Sequence, residues 1–400
     1  MNTAEKDWMS LSDHYIMHTY GRSPVTLVEG KGCQVFDSDG KMYLDFVAGI
    51  AVCSLGHAHP EVAEAICRQA QKLVHVSNLY YTVPQIELAE LLIEHSFADQ
   101  VFFCNSGAEA NEAAIKLARK YSRDRFGEGR YEIICLQGSF HGRTLATLSA
   151  TGQEKFHKGF EPLMDGFRHV PAGDLEAMKQ AITGKTCAIL MEPIQGEGGV
   201  VLFSPDYLPA VRKLCDEHKL LLILDEVQVG IGRTGTLFAH EHYGIKPDMM
   251  TLAKALANGL PLGALLARKE VARSFTPGTH ASTFGGNPVA CAAATVVLKT
   301  LLEGKLLSHC QEMGRYFRQG LEGLVVRYPS LIKEMRGLGL ILGLELKVEG
   351  ADFVTNLLHK GFLINCTQGN ILRFTPPLIV SKVEIDLLLS TLDEECRKRL

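Results

Sequence analysis

The chain has 400 residues, 46% of them apolar and 22% charged, with a formal net charge of −4. That length implies more than one structural unit and ample material for buried cores, and the weak negative charge excludes field-driven capture of nucleic acid or anionic membranes. No apolar run approaches the roughly 18 residues that span a bilayer, the segment from Met1 to Met9 carries Glu5, Lys6 and Asp7 where a secretory signal would be apolar, and 11 cysteines scattered from Cys33 to Cys396 without a CxxC pair read as reduced thiols of a cytoplasmic protein.

In chain order, the first fifty residues contain turns at Gly30, Gly32 and Asp39-Gly40 and read as a short β meander. Residues 101–104 form a buried-strand candidate, followed by a turn and then strong helix formers over 110–121. Apolar runs of strand length recur at 131–136, 187–191, 220–224, 248–252 and 262–267, and Ser204-Pro205 opens a helix that runs to about residue 219. Short apolar runs alternating with helices predict a mostly parallel sheet covered by helices. The last hundred residues differ: helices over 290–303 and 306–328, an apolar strand over 338–346, another over 371–374, and a final helix, together an α+β unit.

Chemistry concentrates where the apolar runs end. Leu221-Leu222-Ile223-Leu224 terminates in Asp225 and Glu226, and 29 residues beyond Asp225 another apolar run terminates in Lys254. Ligands of open α/β sheets sit beyond the carboxyl ends of strands. An acid there pairs with a protonated heterocyclic nitrogen, or simply caps a helix. A desolvated lysine there favours the neutral amine that attacks carbonyls, or is an ordinary surface lysine. Together the two fit a carbonyl cofactor held by Lys254 and steered by Asp225. Asn105-Ser106-Gly107-Ala108 joins a strand to a helix and reads as an anion loop or a plain helix cap. Ser282-Thr283-Phe284-Gly285-Gly286 is a second loop of that kind. Phe140 offers a ring for stacking. Arg143 and Arg373 offer forks for carboxylates, or surface ion pairs.

With these residues in place the chain resembles the class III (ω-amino acid) aminotransferases of the fold-type I pyridoxal-phosphate enzymes. The likeness runs from Asp45-Phe46 and Gly56-His57-Ala58-His59-Pro60 to Arg373-Phe374-Thr375-Pro376-Pro377, and is most specific at Leu224-Asp225-Glu226-Val227-Gln228, Gly232-Arg233-Thr234-Gly235 and Ala253-Lys254. It implies an α/β fold with a mostly parallel seven-stranded sheet, helices on both faces and a smaller α+β domain. The implied division is 1–55 as an N-terminal segment packing with the small domain, 56–288 as the large cofactor-binding domain and 289–400 as the small domain. It implies pyridoxal 5'-phosphate, with Lys254 as Schiff-base lysine and proton shuttle and Asp225 at the pyridine nitrogen. Ser106, Gly107, Ala108, Phe140, Glu226, Val227 and Gln228 complete the cofactor set, and Thr283 reaches the phosphate from the second subunit of a homodimer. Arg143, Ser282, Arg373, Glu197 and Tyr80 are implied to meet substrate, with Glu197 masking Arg373 until a 2-oxoglutarate carboxylate displaces it. The family's usual threonine is Ala108 here, so one hydroxyl to the phosphate is missing.

Ser77-Asn78-Leu79-Tyr80-Tyr81 and the run from Met191 to Gly199 are most similar to the branch of the class acting in arginine biosynthesis. They imply N2-acetyl-L-ornithine as donor of its δ-amino group, 2-oxoglutarate as acceptor and glutamate as product. Succinyldiaminopimelate, ornithine and 4-aminobutyrate stay open as donors, as does a non-catalytic ligand-binding role for the fold. His57-Ala58-His59 and His240-Glu241-His242 do not read as metal sites, because alternate residues diverge and no cysteine lies near. Residues 337–343, rich in Gly and Leu, read as a glycine-rich strand and not as a dinucleotide loop.

Overall fold

The computed structural model describes residues 7–399; of the amino-terminal segment weighed above, residues 1–6 lie outside the described residues. The architecture rests on a seven-stranded sheet built from β4 (Gln100–Cys104), β5 (Glu132–Leu136), β6 (Phe167–Val170), β7 (Thr186–Met191), β8 (Leu221–Asp225), β9 (Met249–Leu252) and β10 (Gly263–Ala267), in the order β4-β10-β9-β8-β7-β5-β6. All pairings are parallel except those of β10, which runs antiparallel to both β9 and β4. The expected mostly parallel sheet is therefore present. Strands β5, β7, β8, β9 and β10 are buried along their whole length, which is why they read as unbroken apolar runs.

The two sides of the sheet separate by alternation. Ile133, Ala188, Leu190, Leu221 and Ile223 pack on one face with the long helix α1 (Gly107–Phe126). Ile134, Ile189, Met191, Leu222 and Leu224 pack on the other with α2 (Tyr207–His218). Period-2 alternation of Cβ directions sends successive residues of each strand to opposite faces, so both faces are apolar and both are covered.

The N-terminal meander is real: β1 (Leu27–Lys31), β2 (Gln34–Asp37) and β3 (Met42–Asp45) are antiparallel neighbours. A short strand from far along the chain, Phe362–Leu363, adds to β3 in parallel, with Phe362 opposite Leu44. The C-terminal part contains helices α3 (Pro288–Glu303), α4 (Leu306–Arg327) and α5 (Lys382–Arg397) and a second sheet of four strands, in the order Ile332–Leu338, Ile341–Leu346, Ile371–Phe374, Asn365–Thr367. The glycine-rich run 337–343 is not one strand. Gly337 and Gly339 adopt φ of +135° and +56°, and the chain reverses there into a hairpin. Any Cβ on Gly339 would lie 2.5 Å from the carbonyl carbon of Thr234, so the turn also needs glycine for close packing. All 11 cysteines are free thiols, and among the described residues no helix is long and apolar enough to cross a membrane.

Candidate functional site

The carboxyl ends of β4, β5, β7, β8 and β9 open into one cavity of about 400 Å³. Asp225 ends β8 and is buried. Its Oδ2 accepts from Asn111 Nδ2 at 2.7 Å and lies 2.8 Å from His141 Nδ1, while Oδ1 accepts from the Val227 N–H at 3.0 Å. Asn111, on α1, also donates to the His141 carbonyl and accepts from Thr251 Oγ1, each at 2.8 Å. A buried carboxylate without such partners costs several kcal/mol, and this network supplies them. Neither Asn111 nor His141 stood out as a site residue in the sequence, because each lies far from Asp225 along the chain.

Lys254 follows β9 by two residues, in a left-handed conformation with φ +47°. The turn it opens ends at Asn258, whose side chain accepts from the Leu55 N–H and donates to the Gly56 carbonyl. Burial lowers the Lys254 amine to about 8; Glu197 opposes this and Arg373 reinforces it. A large neutral fraction near that pH suits a nucleophile and proton carrier.

Glu192, one residue beyond β7, lines the same cavity. Burial pushes its carboxyl up to about 7, against the pull of nearby His141. Its oxygens accept from the Phe140 and Gly196 N–H groups at 2.9 and 3.0 Å. The sequence signal was available, an acid directly ending a buried apolar run as Asp225 does, yet Glu192 was absent from the expected set.

Ser106 N-caps α1, its Oγ accepting from the Glu109 N–H at 3.1 Å. The first helical residues, Gly107 and Ala108, line the cavity. A Cβ on Gly107 would sit 2.6 Å from Val227 Cγ1, so only glycine lets this helix end approach β8. Gly107→Ala is expected to strain the contact by about 1–3 kcal/mol and to push the helix end out of place. Cofactor-free protein carrying it should bind inorganic phosphate at least about ten-fold more weakly by calorimetry, a loss of the order of one charge-assisted hydrogen bond. Unchanged affinity would remove the loop from the anion site.

Arg373, on the C-terminal sheet and only 1% exposed, stands behind the lining residues Glu197 and Gln228. Its NH1 meets Glu197 Oε1 at 2.6 Å, Gln228 Oε1 at 3.1 Å and the Gly196 carbonyl at 3.2 Å. Burial alone would raise the Glu197 carboxyl, but Arg373 and then Lys254 outweigh it and hold it below the ordinary range. Gln228 Nε2 donates to Glu197 at 2.9 Å, which closes a three-residue cluster. Arg143 is exposed at the mouth, its guanidinium 4.0 Å from the Phe156 ring centroid and 5.4 Å from that of Phe140.

Ser106, Gly107, Ala108, Phe140, Arg143, Glu197, Asp225, Val227, Gln228 and Lys254 thus line one cavity, with Arg373 behind Glu197. Glu226 does not. Its carboxylate accepts from the Ala239 and His240 N–H groups and pairs with His240 Nδ1 at 2.8 Å, because the residue after Asp225 points to the opposite side of the chain. Glu226 is a buried structural anchor, and it accounts for His240. His57 is likewise paired, with Asp45 at 2.7 Å. Ser282, Thr283 and Tyr80 lie outside the cavity within a single chain. Ser282 Oγ accepts from Gly285 N–H and from Asn105, next to the helix cap, while the Thr283 carbonyl accepts from Ser77 Oγ. Tyr80 is 70% exposed.

A family model described as Aminotransferase class-III matches residues 15–395. The acetylornithine aminotransferase of Methanocaldococcus jannaschii is 54% identical over 391 residues, 98% of each chain. Among solved structures, N-acetylornithine aminotransferase from Stenotrophomonas maltophilia K279a superposes with a TM-score of 0.82 at 39% identity, covering 96% of each chain. An ornithine aminotransferase from Toxoplasma gondii, described with partial occupancy of PLP at its active site, superposes with a TM-score of 0.93 at 34% identity, covering 98% of this chain and 96% of its own.

Proposed function

The chain belongs to the class-III aminotransferase family, and from that premise we propose that it uses pyridoxal 5'-phosphate to move the δ-amino group of N2-acetyl-L-ornithine to 2-oxoglutarate, yielding glutamate in arginine biosynthesis. Its architecture is that of the fold-type I transferases. The residues present fit the cofactor. A low-pKa lysine and a buried, fully partnered carboxylate face one cavity, and the glycine at the start of α1 lets that helix N-terminus pack close against Val227 at the cavity. Lys254 would hold the group, Asp225 its ring nitrogen, and Ser106, Gly107 and Ala108 its phosphate. Phe140, Val227 and Gln228 would lie around the ring. Ala108 has no side-chain hydroxyl, so at that position only the backbone N–H would meet the phosphate. When bound, the group supplies a carbonyl for amine exchange and an electron sink for the substrate carbanion.

The chain's own residues do the rest. The neutral Lys254 amine would take up and return the proton of the reacting substrate carbon. Asp225 would face the protonated ring nitrogen of the bound group from the floor of the cavity. Arg143 takes a substrate carboxylate at the mouth. Arg373 takes the α-carboxylate of 2-oxoglutarate once Glu197 has swung away. That pair, 2.6 Å apart in the wall of the Lys254 cavity, is the observation that carries the reading. A donor reacting at its terminal amine leaves no carboxylate beside the reacting carbon, so Arg373 must then be neutralised; an unpaired buried guanidinium would cost about 3–5 kcal/mol. Glu197→Ala should therefore raise the preference for substrates carrying a carboxylate beside the reacting carbon over acetylornithine by about ten-fold, measured as a ratio of kcat/KM values. An unchanged ratio would remove the mask.

The substrate is tested by mixing the loaded enzyme with acetylornithine, succinyldiaminopimelate, ornithine or 4-aminobutyrate without acceptor. Loss of the visible absorbance should be fastest with acetylornithine. If acetylornithine is inert while another donor reacts, the donor assignment is wrong and the aminotransferase chemistry stands. A cytoplasmic homodimer belongs to the same reading: it is supported by the free thiols and by Leu79, Tyr80, Tyr81 and Phe284, large apolar side chains exposed around Thr283.

A further inference from the structure

The loop bearing Glu197 is held from outside the cavity. Three of its carbonyls are taken by side chains of the C-terminal sheet: Gly196 by Arg373 at 3.2 Å, Glu197 by Gln368 Nε2 at 2.7 Å and Gly199 by Arg336 Nε at 2.8 Å. Backbone carbonyls are more often met by backbone N–H groups, so three side chains from one sheet on one short loop is a built arrangement. Gln368 sits at the tip of the hairpin whose second strand carries Arg373, in a left-handed conformation of φ +53° that disfavours a non-glycine residue. Its amide spans further, donating to Gln153 Oε1 at 3.0 Å and accepting from Lys155 Nζ at 3.4 Å. Arg336 is aimed by Glu345, 2.7 Å from its NH1, and by Glu334. A Cβ on Gly199 would lie 3.6 Å from Gln368 Cγ and 3.4 Å from Arg336 NH2, so both side chains lie over the same glycine.

We infer that Gln368 and Arg336 are positioning residues that clamp the Glu197 loop and so set how readily Glu197 releases Arg373. The inference rests on the reading of Glu197 as a mask. The same hairpin carries the arginine and the amide that fixes its partner's backbone, so the separation of the pair is set mechanically. A fixed loop presents Glu197 Oε1 to Arg373 without an ordering cost, which strengthens the mask and disfavours any carboxylate that competes for the guanidinium. Neither clamp residue needs to touch substrate.

The test measures equilibrium binding of glutarate, a dicarboxylate with no keto group to react, to the loaded enzyme. Gln368→Gly suits the left-handed backbone and removes only the side chain; Gln368→Asn, with its amide one methylene short, is the alternative if the glycine variant folds poorly. Arg336→Met keeps length without the donor. Each is expected to tighten glutarate binding about five-fold, the scale of one net hydrogen bond, and to raise the kcat/KM for 2-oxoglutarate relative to that for the amino donor by a similar factor. In a Glu197→Ala background the same substitutions should have no further effect, because the mask they tune is gone. Glutarate affinity within two-fold of the parent, or an equal shift in both backgrounds, would overturn the clamp. If Glu197→Ala alone leaves glutarate affinity and substrate ratio unchanged, the mask fails and the clamp with it. If Glu197→Ala shifts both and the clamp variants shift neither, the clamp alone fails.

Discussion

Lys254→Ala is expected to lower kcat/KM for amino transfer by about four orders of magnitude or more, since in the proposed mechanism it removes both the covalent attachment point and the group that moves the proton. The fold should survive. The alanine keeps the Cβ that already tolerates φ +47°, and the following residues Ala255, Leu256 and Ala257 stay packed in the core. Far-ultraviolet circular dichroism should be unchanged while the visible absorbance of the purified protein disappears. Activity within ten-fold of the parent would mean that another amine does the work.

The same lysine supplies a pH signature. Burial depresses its amine to about 8, whereas an ordinary lysine titrates near 10.4. The neutral form is the reactive one, and its population rises as pH increases through the lowered value. In cofactor-free protein, labelling of Lys254 by an amine-acylating reagent, followed by peptide mass spectrometry, should be half-maximal near pH 8. The same lysine in the urea-denatured protein should still be rising at pH 10. Parallel profiles for the two would place Lys254 in an ordinary environment.

What the sequence disclosed follows from which interactions are local. Strands β7, β8 and β9 are buried on both faces, so each reads as an apolar run whatever lies beside it, and the residues ending β8 and β9 are read off with them. Strand β6 was not anticipated, because Phe167-Arg168-His169-Val170 is an edge strand whose polar residues sit half in solvent. The hairpin at Gly339 reads as one strand in the sequence because turn and strand there share the same Gly and Leu composition. The cavity lining was largely legible, since each piece follows a strand end. Its support was not: Asn111 and His141 act on Asp225 across long stretches of chain, and Gln368 reaches Glu197 from another sheet. Glu226 shows the opposite failure, since a motif places it beside Asp225 although the chain turns its side chain away.

Asp225→Asn separates charge from shape at the floor of the cavity. The carboxylate accepts on both oxygens, from Asn111 and beside His141 on Oδ2, and from the Val227 N–H on Oδ1. A carboxamide has one acceptor oxygen, so whichever way it turns, an NH2 faces a donor and a buried hydrogen bond is lost at a cost of about 1–3 kcal/mol. The larger effect is electrostatic. With the negative charge gone, the two other acids among the described cavity-lining residues do not replace it: Glu197 is paired with Arg373, and Glu192, whose carboxyl burial raises to about 7, spends its oxygens on the Phe140 and Gly196 N–H groups. Loss of one preorganised charge in a dry site lowers turnover by about 10³-fold, so kcat for either half-reaction should fall by that order while the protein retains its visible absorbance through Lys254. Asp225→Glu keeps the charge and misplaces it by one methylene, and it should recover part of the loss. If Asp225→Asn stays within ten-fold of the parent and Asp225→Glu is the more damaged variant, Asp225 serves the site by its shape and hydrogen bonds, and the positive charge it was assigned to hold must be stabilised elsewhere.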